Sequence, residues 1–489
     1  MPLNTSDGDR LLPVRSYMNC ASPARDPGAA AGLLEKLSDG GNAEAQYLYA
    51  LFLYTGTSVT EDRITAKDLI VQSAASGNED AVLMLKEMNA NGDCDAVAEL
   101  FRLKLMGEER NTDVCRKLFE MYTEGTHPVK KDHKAAAEWY TVCAEEDDVH
   151  AQSTVGFMYL MGKGVKKDRD KAMYWLRKAA ENGSSDAMYR IGEMYYTGLC
   201  YTETDIGEAV KWYRLAADAG HAEAQYSLAA VCMVPKTKFF NPSGSARYLE
   251  KAAVSGHAEA QYQLGMMYAY GQGVKRDESK AVFLLEASCE SGFQQAMVDY
   301  ANLRFEGEVL QQDFGTAAKW FEKAAASCNG YAQYSLACMY GTGSYYEKND
   351  EIAAKYFRDA AEMGEVNSQY CLGCFCYEGR GMAKSEKEAA VWFQQAAEQG
   401  HPAAKAFLGM LYVTGTGVAQ DIGEGMRLIC ESADSGYFEG QYYLGKLYMD
   451  GKYVKKDIHR AKKYLSMAAK QGDADSEMLL DRIRTERMH

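Results

Sequence analysis

Three cysteines, Cys371, Cys374 and Cys376, lie close together in the chain. On a helix, Cys371 and Cys374 would share one face, where two thiolates can hold a soft metal ion. Cys376, however, occupies a position that Tyr268 and Tyr448 fill elsewhere in the sequence, so we expect its side chain to point into the core. No histidine or cysteine at a suitable spacing completes a set of four ligands. We therefore expect free thiols here and no metal site.

Three motifs of catalytic and phosphate-binding sites are absent from the chain. It has no Ser-x-x-Lys, which serves serine enzymes that recognise penicillin, no Gly-x-x-x-x-Gly-Lys-Ser/Thr for a phosphate and no His-Glu-x-x-His for zinc. Three histidines, His221, His257 and His401, recur at one position of the repeat. Other copies fill this position with very different residues: Asn42, Ser184, Phe293 and Tyr437. Such variety indicates a structural position. We predict no catalytic residue and no cofactor.

A row of mainly acidic residues also recurs at one position and could be mistaken for a set of ligands. The position holds Asp62, Asp132, Asp168, Asp205, Asp277, Asp313, Asn349, Ser385, Asp421 and Asp457. These residue types are good helix N-caps, because their side-chain oxygens accept hydrogen bonds from the free amide groups of the following turn. One copy is expected to differ, with Pro242 at the position and Ser243 and Ser245 beside it. We interpret the row as caps.

All these positions recur because the chain repeats itself. Glycines in register stand at positions 183, 220, 256, 292, 330, 364, 400, 436 and 472, about 36 residues apart, a period typical of solenoids. In one copy, Ala260, Leu264 and Tyr268 fall on one face of a first helix. A Gly-Gln-Gly-Val turn ends that helix, and a second helix is predicted over residues 278–291. The pattern predicts stacked helix pairs.

A large apolar side chain recurs three residues after a small one in the second helix of each copy. It is Trp139, Trp175, Trp212, Trp320 or Trp392, and elsewhere Leu69, Leu249, Leu284, Tyr356, Leu428 or Tyr464. We expect this position to fill the space between the two helices as core. The alternative, an aromatic cage for a ligand, is the less favoured interpretation.

Composition and charge restrict the partners. The net charge is −15, which repels phosphate backbones and anionic lipid, so we expect a protein or peptide partner, basic if charged, and no nucleic acid. No apolar run approaches the ~18 residues of a membrane-spanning helix, and no secretory signal is evident in residues 1–28. We expect a cytoplasmic monomer whose 13 cysteines are free thiols, with signal-independent secretion as the alternative.

The repeated unit resembles the Sel-one-like repeat, a relative of the tetratricopeptide repeat. Residues 151–183 carry its pattern nearly complete: Ala151, Val155, Gly156, Tyr159, Gly162, Gly164, Val165, Asp168, Ala172, Trp175, Ala179, Ala180 and Gly183. The resemblance implies an all-α, right-handed superhelical solenoid of about twelve helix pairs that acts as a non-enzymatic scaffold or adaptor. Alternatives are an effector delivered into host cells, or a hydrolase like the cysteine-rich β-lactamase-linked branch. That branch's cysteine pairs and Ser-x-x-Lys are missing.

The predicted organisation has three parts. Residues 1–29 form an irregular segment, residues 30–472 form the solenoid, and residues 473–489 form a capping helix. Residues 78–110 read as an atypical unit of two helices without the glycine turn. In residues 234–245 a longer loop is expected to replace that turn, with Phe239 and Phe240 either exposed on it or packed.

The predicted binding surface lies on the first helices. With Ala260 as position one, tyrosine fills position three in seven copies, and we favour packing between neighbouring repeats, with hydroxyls in solvent, over a binding role. Positions four, seven and eleven vary freely, which suggests that they are released from packing. We call the surface they form the first-helix face, and expect it to line the concave side. The candidate partner-binding residues are Arg190, Glu193, Tyr270, Asp299, Asn302, Glu306, Tyr443 and Lys446.

Overall fold

The computed structural model describes residues 27–56, 58–91, 94–108, 110–199 and 204–485. In these ranges it contains twenty-six α-helices and no β-strand, which confirms the predicted all-α class. The chain divides into two compact units, Met1–Ala252 and Ala253–His489. No helix within the described ranges combines the length and the apolar character that a bilayer span requires.

The first unit contains α1 to α12 and most of α13. Their bounds are α1 (Pro27–Asp39), α2 (Ala43–Thr55), α3 (Arg63–Ala75), α4 (Glu79–Asn91), α5 (Cys94–Glu108), α6 (Thr112–Glu124), α7 (His133–Glu145), α8 (Val149–Met161), α9 (Arg169–Glu181), α10 (Ser185–Thr197), α11 (Ile206–Asp218), α12 (Ala222–Met233) and α13 (Pro242–Val254). Helices α4 and α5 occupy the segment predicted as atypical, whereas residues 1–26 of the predicted N-terminal segment lie outside the described residues.

The second unit contains α14 to α26. Their bounds are α14 (Ala258–Tyr270), α15 (Glu278–Glu290), α16 (Gln294–Glu306), α17 (Phe314–Ala326), α18 (Gly330–Thr342), α19 (Asp350–Glu362), α20 (Val366–Glu378), α21 (Glu386–Glu398), α22 (Pro402–Thr414), α23 (Ile422–Asp434), α24 (Phe438–Asp450), α25 (Ile458–Ala469) and α26 (Ala474–Thr485). First and second helices of a copy pack against each other, as α14 does on α15. The last helix, α26, falls where a capping helix is expected.

Each helix pair is closed at the cap of its second helix. The Asp277 carboxylate accepts a hydrogen bond from the Lys280 amide (3.1 Å), while the Asp277 amide donates to the Tyr268 carbonyl of the first helix (3.0 Å). The same double role is filled by Asp62, Asp132, Asp168, Asp205, Asp313, Asn349, Ser385, Asp421 and Asp457. The prediction of this row as N-caps is confirmed.

The copy expected to differ at Pro242 is capped like the others, from one residue earlier. The Asn241 side chain accepts from the Gly244 amide at 2.9 Å, and the Asn241 amide donates to the Cys232 carbonyl at 2.8 Å. The predicted alignment of this copy is therefore wrong by one residue. Tyr248, rather than Leu249, takes the position of the tryptophans.

The connection before this cap is not longer than the others. Asn241 follows Cys232 by nine positions, as Asp277 follows Tyr268. What differs is the residue content, since the two glycines are missing and Lys236 takes a positive φ of 65°. The expected longer loop is thus a turn of ordinary length with unusual side chains.

The most deeply buried position of the second helix is not the tryptophan position, as predicted, but the residue that follows it. Trp175 and Trp320 are buried, but Trp139, Trp212 and Trp392 are only half-buried. The residue that follows this position is at most 4% exposed in every copy: Ile70, Tyr140, Leu176, Tyr213, Leu249, Leu285, Phe321, Phe357, Phe393, Ile429 and Leu465. Uniform burial of the tryptophan position is therefore a wrong prediction. Adjacent residues can both fall within a broad apolar stripe, so the pattern does not identify the deeper one.

A buried glutamine at position two of the first helix connects successive second helices, and the sequence analysis missed it. The Gln152 side-chain nitrogen donates to the Ala144 carbonyl at the end of α7 (3.1 Å), and its oxygen accepts from Asn182 after α9 (3.1 Å). Gln369 does the same with Ala361 (3.3 Å) and Gln399 (2.9 Å). The sequence pattern that could have identified this glutamine is a polar residue that recurs at one position of the repeat between apolar or small neighbours.

The recurring histidines cap first helices, which confirms their structural interpretation. In α22 the His401 Nδ1 accepts a hydrogen bond from the Ala404 amide at 3.1 Å, and His221 and His257 act alike in α12 and α14. Asn42, Ser184 and Asn329 fill the same role, whereas Phe293 and Tyr437 make no side-chain cap.

The His401 cap predicts a pH-dependent stability. Burial lowers the pKa of the imidazole, and the Glu365 carboxylate opposes this only in part. The unfolded chain, with a histidine pKa of ~6.5, therefore takes up the proton first as the pH falls. The stabilisation is complete above this value and is lost as the pH falls from it through the lower pKa of His401 in the folded protein. We expect His401→Asn, which keeps an acceptor, to weaken this loss.

The measurement is the urea unfolding free energy at a series of pH values from neutral to mildly acidic. His459→Asn is the matched control, because His459 is exposed in the same unit and caps nothing. An unchanged slope in His401→Asn would contradict the prediction.

Candidate binding surface on the first helices

Neighbouring first helices of the second unit are joined by tyrosine hydroxyls. Tyr262 of α14 donates to the Asp299 carboxylate of α16 at 2.5 Å, and Tyr331 of α18 donates to the Asn302 side-chain oxygen at 3.3 Å. The first-helix face is therefore continuous along these three helices. Tyr270 is 48% exposed on it, and Glu306 is exposed as well.

Asp299 and Asn302 are not released from packing, which corrects the interpretation of the variable positions. Asp299 also accepts from the Gln295 side chain at 2.9 Å, and both residues are half-buried. Burial, followed by the hydrogen bond to Asp299, raises the pKa of the Tyr262 hydroxyl. The two side chains therefore hold neighbouring helices together, whereas Tyr270 and Glu306 are exposed on the same face.

In the first unit, Arg190 and Glu193 are likewise held by neighbours. The Arg190 Nε donates to the Asp186 carboxylate at 2.7 Å, and its guanidinium carbon lies 4.3 Å from the centre of the Phe157 ring. Glu193 accepts a hydrogen bond from the buried Tyr213 hydroxyl. These two variable positions thus have specific local partners in this copy.

A cavity of about 550 Å³ opens on the first-helix face between α8 and α10. Arg190, Asp186 and Phe157 line it together with His150, Ser153 and Thr154. The cavity combines an aromatic ring, hydroxyl groups and an oriented ion pair, a composition suited to a polar side chain or a peptide backbone. Of these residues, sequence reasoning identified only Arg190. The sequence pattern that could have indicated the cavity is Phe157, which fills position seven in the copy before that of Arg190.

Charge in this cavity is set by two contacts to Asp186. Burial alone would raise the pKa of its carboxyl, but hydrogen bonds from Arg190 and from the Ser153 hydroxyl (2.6 Å) hold it below the ordinary value. Asp186 is therefore ionised at neutral pH and fixes the orientation of the guanidinium. Another lining residue, His150, is held by Tyr140, whose hydroxyl lies 2.6 Å from the His150 Nδ1.

Tyr443 and Lys446 belong to an aromatic row in the second unit. The Phe407 ring centre lies 5.6 Å from that of Tyr443 and 5.9 Å from that of Tyr370. Lys446 places its ammonium 5.5 Å from the Tyr442 ring centre. Burial raises the pKa of the Tyr443 hydroxyl. The first-helix face is therefore more apolar here than around Asp299.

The tyrosines of position three pack between repeats, as favoured. The Tyr189 ring stacks on His221 at 4.8 Å between centres, and Tyr370 stacks on His401 at 4.7 Å. Not every hydroxyl simply reaches solvent, because that of Tyr262 is bound to Asp299. These rings join repeats and form the floor of the face.

The three clustered cysteines are poor ligands and poor nucleophiles. Cys376 is fully buried, as predicted, and burial raises the pKa of its thiol to about 11 and that of Cys374 to about 12. Burial also raises the pKa of Cys371. Every described cysteine is a free thiol, and the described residues contain no group of three or more His, Cys, Asp or Glu side chains placed to hold a metal ion.

The comparison with known protein families agrees with the helix-pair organisation. The Sel1 repeat matches residues 43–78, 112–148, 149–184, 185–221, 258–293, 294–327, 330–365, 366–401, 402–437 and 438–473. The unmatched intervals contain the pair α4 and α5 and the copy with the Asn241 cap. No curated protein is a significant sequence match.

Solved structures that are similar in fold include two Sel1-type repeat proteins. One is c5321, a protective antigen of uropathogenic Escherichia coli strains displaying an SLR fold, with 26% identity, a TM-score of 0.65, and coverage of 94% of this chain and 90% of that one. Another is a Sel1 repeat protein from Oxalobacter formigenes, with 26% identity, a TM-score of 0.52, and coverage of 68% and 94%. With ten matched repeats, the chain belongs to the Sel1 repeat family.

Proposed function

We propose that this protein is a non-enzymatic interaction scaffold that holds a protein or peptide segment along its first-helix face. The observation that carries the proposal is the cavity between α8 and α10, which lies on that face and contains an oriented guanidinium, hydroxyl groups and an aromatic ring. The Sel1 repeat organisation supports it, since stacked helix pairs present long surfaces suited to extended partners.

A basic segment is the partner that the second unit favours. Glu306 and Tyr270 are exposed on the first-helix face, so a lysine or arginine could pair with the carboxylate and lie over the ring. The net charge of −15 adds long-range attraction for such a segment.

The proposal is tested by site-specific photo-crosslinking in cells that express the full chain. The photoreactive residue replaces Thr197 or Glu306 on the first helices, or Leu215 or Val391, which are exposed on second helices. We expect a protein partner to be captured from the first pair of positions and not from the second. Capture from the second helices alone, or equally from all four positions, would assign binding to another surface.

Charge reversal then tests the preference for a basic segment. Against the partner captured at position 306, we expect Glu306→Lys to weaken binding roughly tenfold and to flatten its dependence on salt. The control is Glu362→Lys, which changes the net charge equally from an exposed site on α19. Asp299 is left unchanged because its carboxylate binds Tyr262. Equal losses in both variants would show a general charge effect.

A further inference from the structure

The turn between α12 and α13 carries two adjacent phenylalanines, Phe239 and Phe240, and two lysines. Val234 to Asn241 forms two consecutive turns, in which the Thr237 hydroxyl donates to the Val234 carbonyl (3.0 Å) and the Phe240 amide donates to the Thr237 carbonyl (3.2 Å). Phe239 packs on the core beside Tyr248. Phe240, by contrast, is 49% exposed. The backbone is thus anchored while one aromatic ring faces outward.

Two cavities open beside this turn, within the first unit. One, of about 370 Å³, is lined by Leu228, Phe239 and Phe240 and is flanked by Arg214 and Lys238. The other, of about 310 Å³, shares Asn241 and Tyr248 with the first and adds Arg247, Lys251 and the Asp218 carboxylate. The first is large enough for one apolar side chain of a ligand, and no described carboxylate lines it.

The basic groups beside this turn contrast with the net charge of −15 of the whole chain. Arg214, Lys236, Lys238 and Arg247 form no salt bridge with any described carboxylate, although Lys238 lies over the Phe239 ring at 5.0 Å. Elsewhere in the unit Arg110, for example, pairs with Glu145 and Glu146. Of these cations, Arg214 and Lys238 line the apolar cavity, Arg247 lines the neighbouring one and Lys236 lies in the turn. Cations without internal counter-charges beside an apolar opening are complementary to carboxylates on a partner.

We propose that residues 234–241, with Arg214, Arg247 and Tyr248, form a second docking surface that binds an acidic peptide segment carrying one large apolar side chain. The apolar side chain enters the cavity under Phe240, and flanking carboxylates pair with the arginines and lysines. A nucleic acid fits less well, because the protein as a whole repels a polyanion. This surface is independent of the first-helix face and prefers the opposite charge.

The test uses the full chain and fluorescent peptides in anisotropy titrations. The probe is a nonapeptide with a central phenylalanine flanked by aspartate and glutamate. The comparison peptides replace the acidic residues by asparagine and glutamine, or the phenylalanine by serine. A single-stranded oligonucleotide of the same net charge is titrated alongside. We expect the acidic phenylalanine peptide to bind at least about tenfold more tightly than either comparison peptide and than the oligonucleotide.

Charge reversal locates the site. Arg214→Glu with Arg247→Glu should weaken binding of the acidic peptide by about tenfold or more, and Phe240→Ser should weaken it without changing its salt dependence. Lys166→Glu with Lys167→Glu, in the corresponding turn after α8, makes the same change in net charge and should leave binding unaltered. Far-ultraviolet circular dichroism verifies that each variant is folded. Equal binding of the neutral peptide, equal loss in the lysine control, or tighter binding of the oligonucleotide would overturn the proposal.

Discussion

Replacing Trp320 by alanine is expected to lower the free energy of unfolding of the second unit by about 3–5 kcal/mol, as large-to-small changes at buried aromatic residues do. Trp320 is 1% exposed, and the Lys319 and Lys323 ammonium groups lie 4.7 and 4.4 Å from the indole ring. The loss therefore combines a cavity, lost apolar burial and two lost cation–π contacts. Urea unfolding followed by circular dichroism measures it.

Two variants separate these causes. The Trp320 indole nitrogen is buried without a hydrogen-bond partner among the described residues. Because Trp320→Phe removes this unsatisfied donor, it should lower the free energy of unfolding much less than Trp320→Ala does. Trp392→Ala should also cost less, because Trp392 is only half-buried. Similar losses for Trp320→Ala and Trp392→Ala would show that the tryptophan position is uniform core after all.

Replacing Gly381 by alanine is expected to lower the free energy of unfolding by about 2–4 kcal/mol. Gly381 has a φ of +62°, and a Cβ there would overlap the Asp350 carbonyl at the start of α19. The alanine variant therefore suffers both a strained backbone and a clash with rigid main chain, and the turn must move away from the preceding copy. The same close approach occurs at Gly164 and Gly417.

Gly364→Ala is the matched control for this effect. Gly364 has a φ of +89°, but a Cβ there would meet no atom within 4 Å. It should therefore lose only the conformational part, about 1–2 kcal/mol. If both variants lost the same amount, the contact between the turn and α19 would contribute nothing to stability.

The sequence was sufficient for the repeat, the helix pairs and the caps because these depend on local rules. An aspartate before an apolar helical pattern, such as Asp277, needs only its own following turn to act as a cap. The glycines and alanines that resemble the Sel-one-like repeat predicted the same turns and helix pairs. The copy at Asn241 shows the limit, since without its glycine turn the alignment shifted by one residue.

Contacts between copies could not be read from the pattern. Whether Trp212 or Tyr213 lies deeper depends on the rotation of α11 against its neighbours, and both choices satisfy the helical period. The variation at position 299 suggested a free surface, but Asp299 is bound by Tyr262 from the previous copy. Variation alone does not distinguish solvent exposure from a contact that each copy makes with a different partner.

The buried glutamines affect how a protein of this kind can change its number of copies. Gln369 and Gln399 lie in the same copy, so recombination that moves the copy carries both members of that hydrogen bond. The other bond of Gln369 is accepted by the main-chain carbonyl of Ala361 in the preceding copy, which any sequence supplies. A copy can therefore be duplicated, lost or exchanged during evolution without a compensating substitution at this contact in its neighbour. Binding surfaces on the first helices can then be lengthened or rearranged one copy at a time.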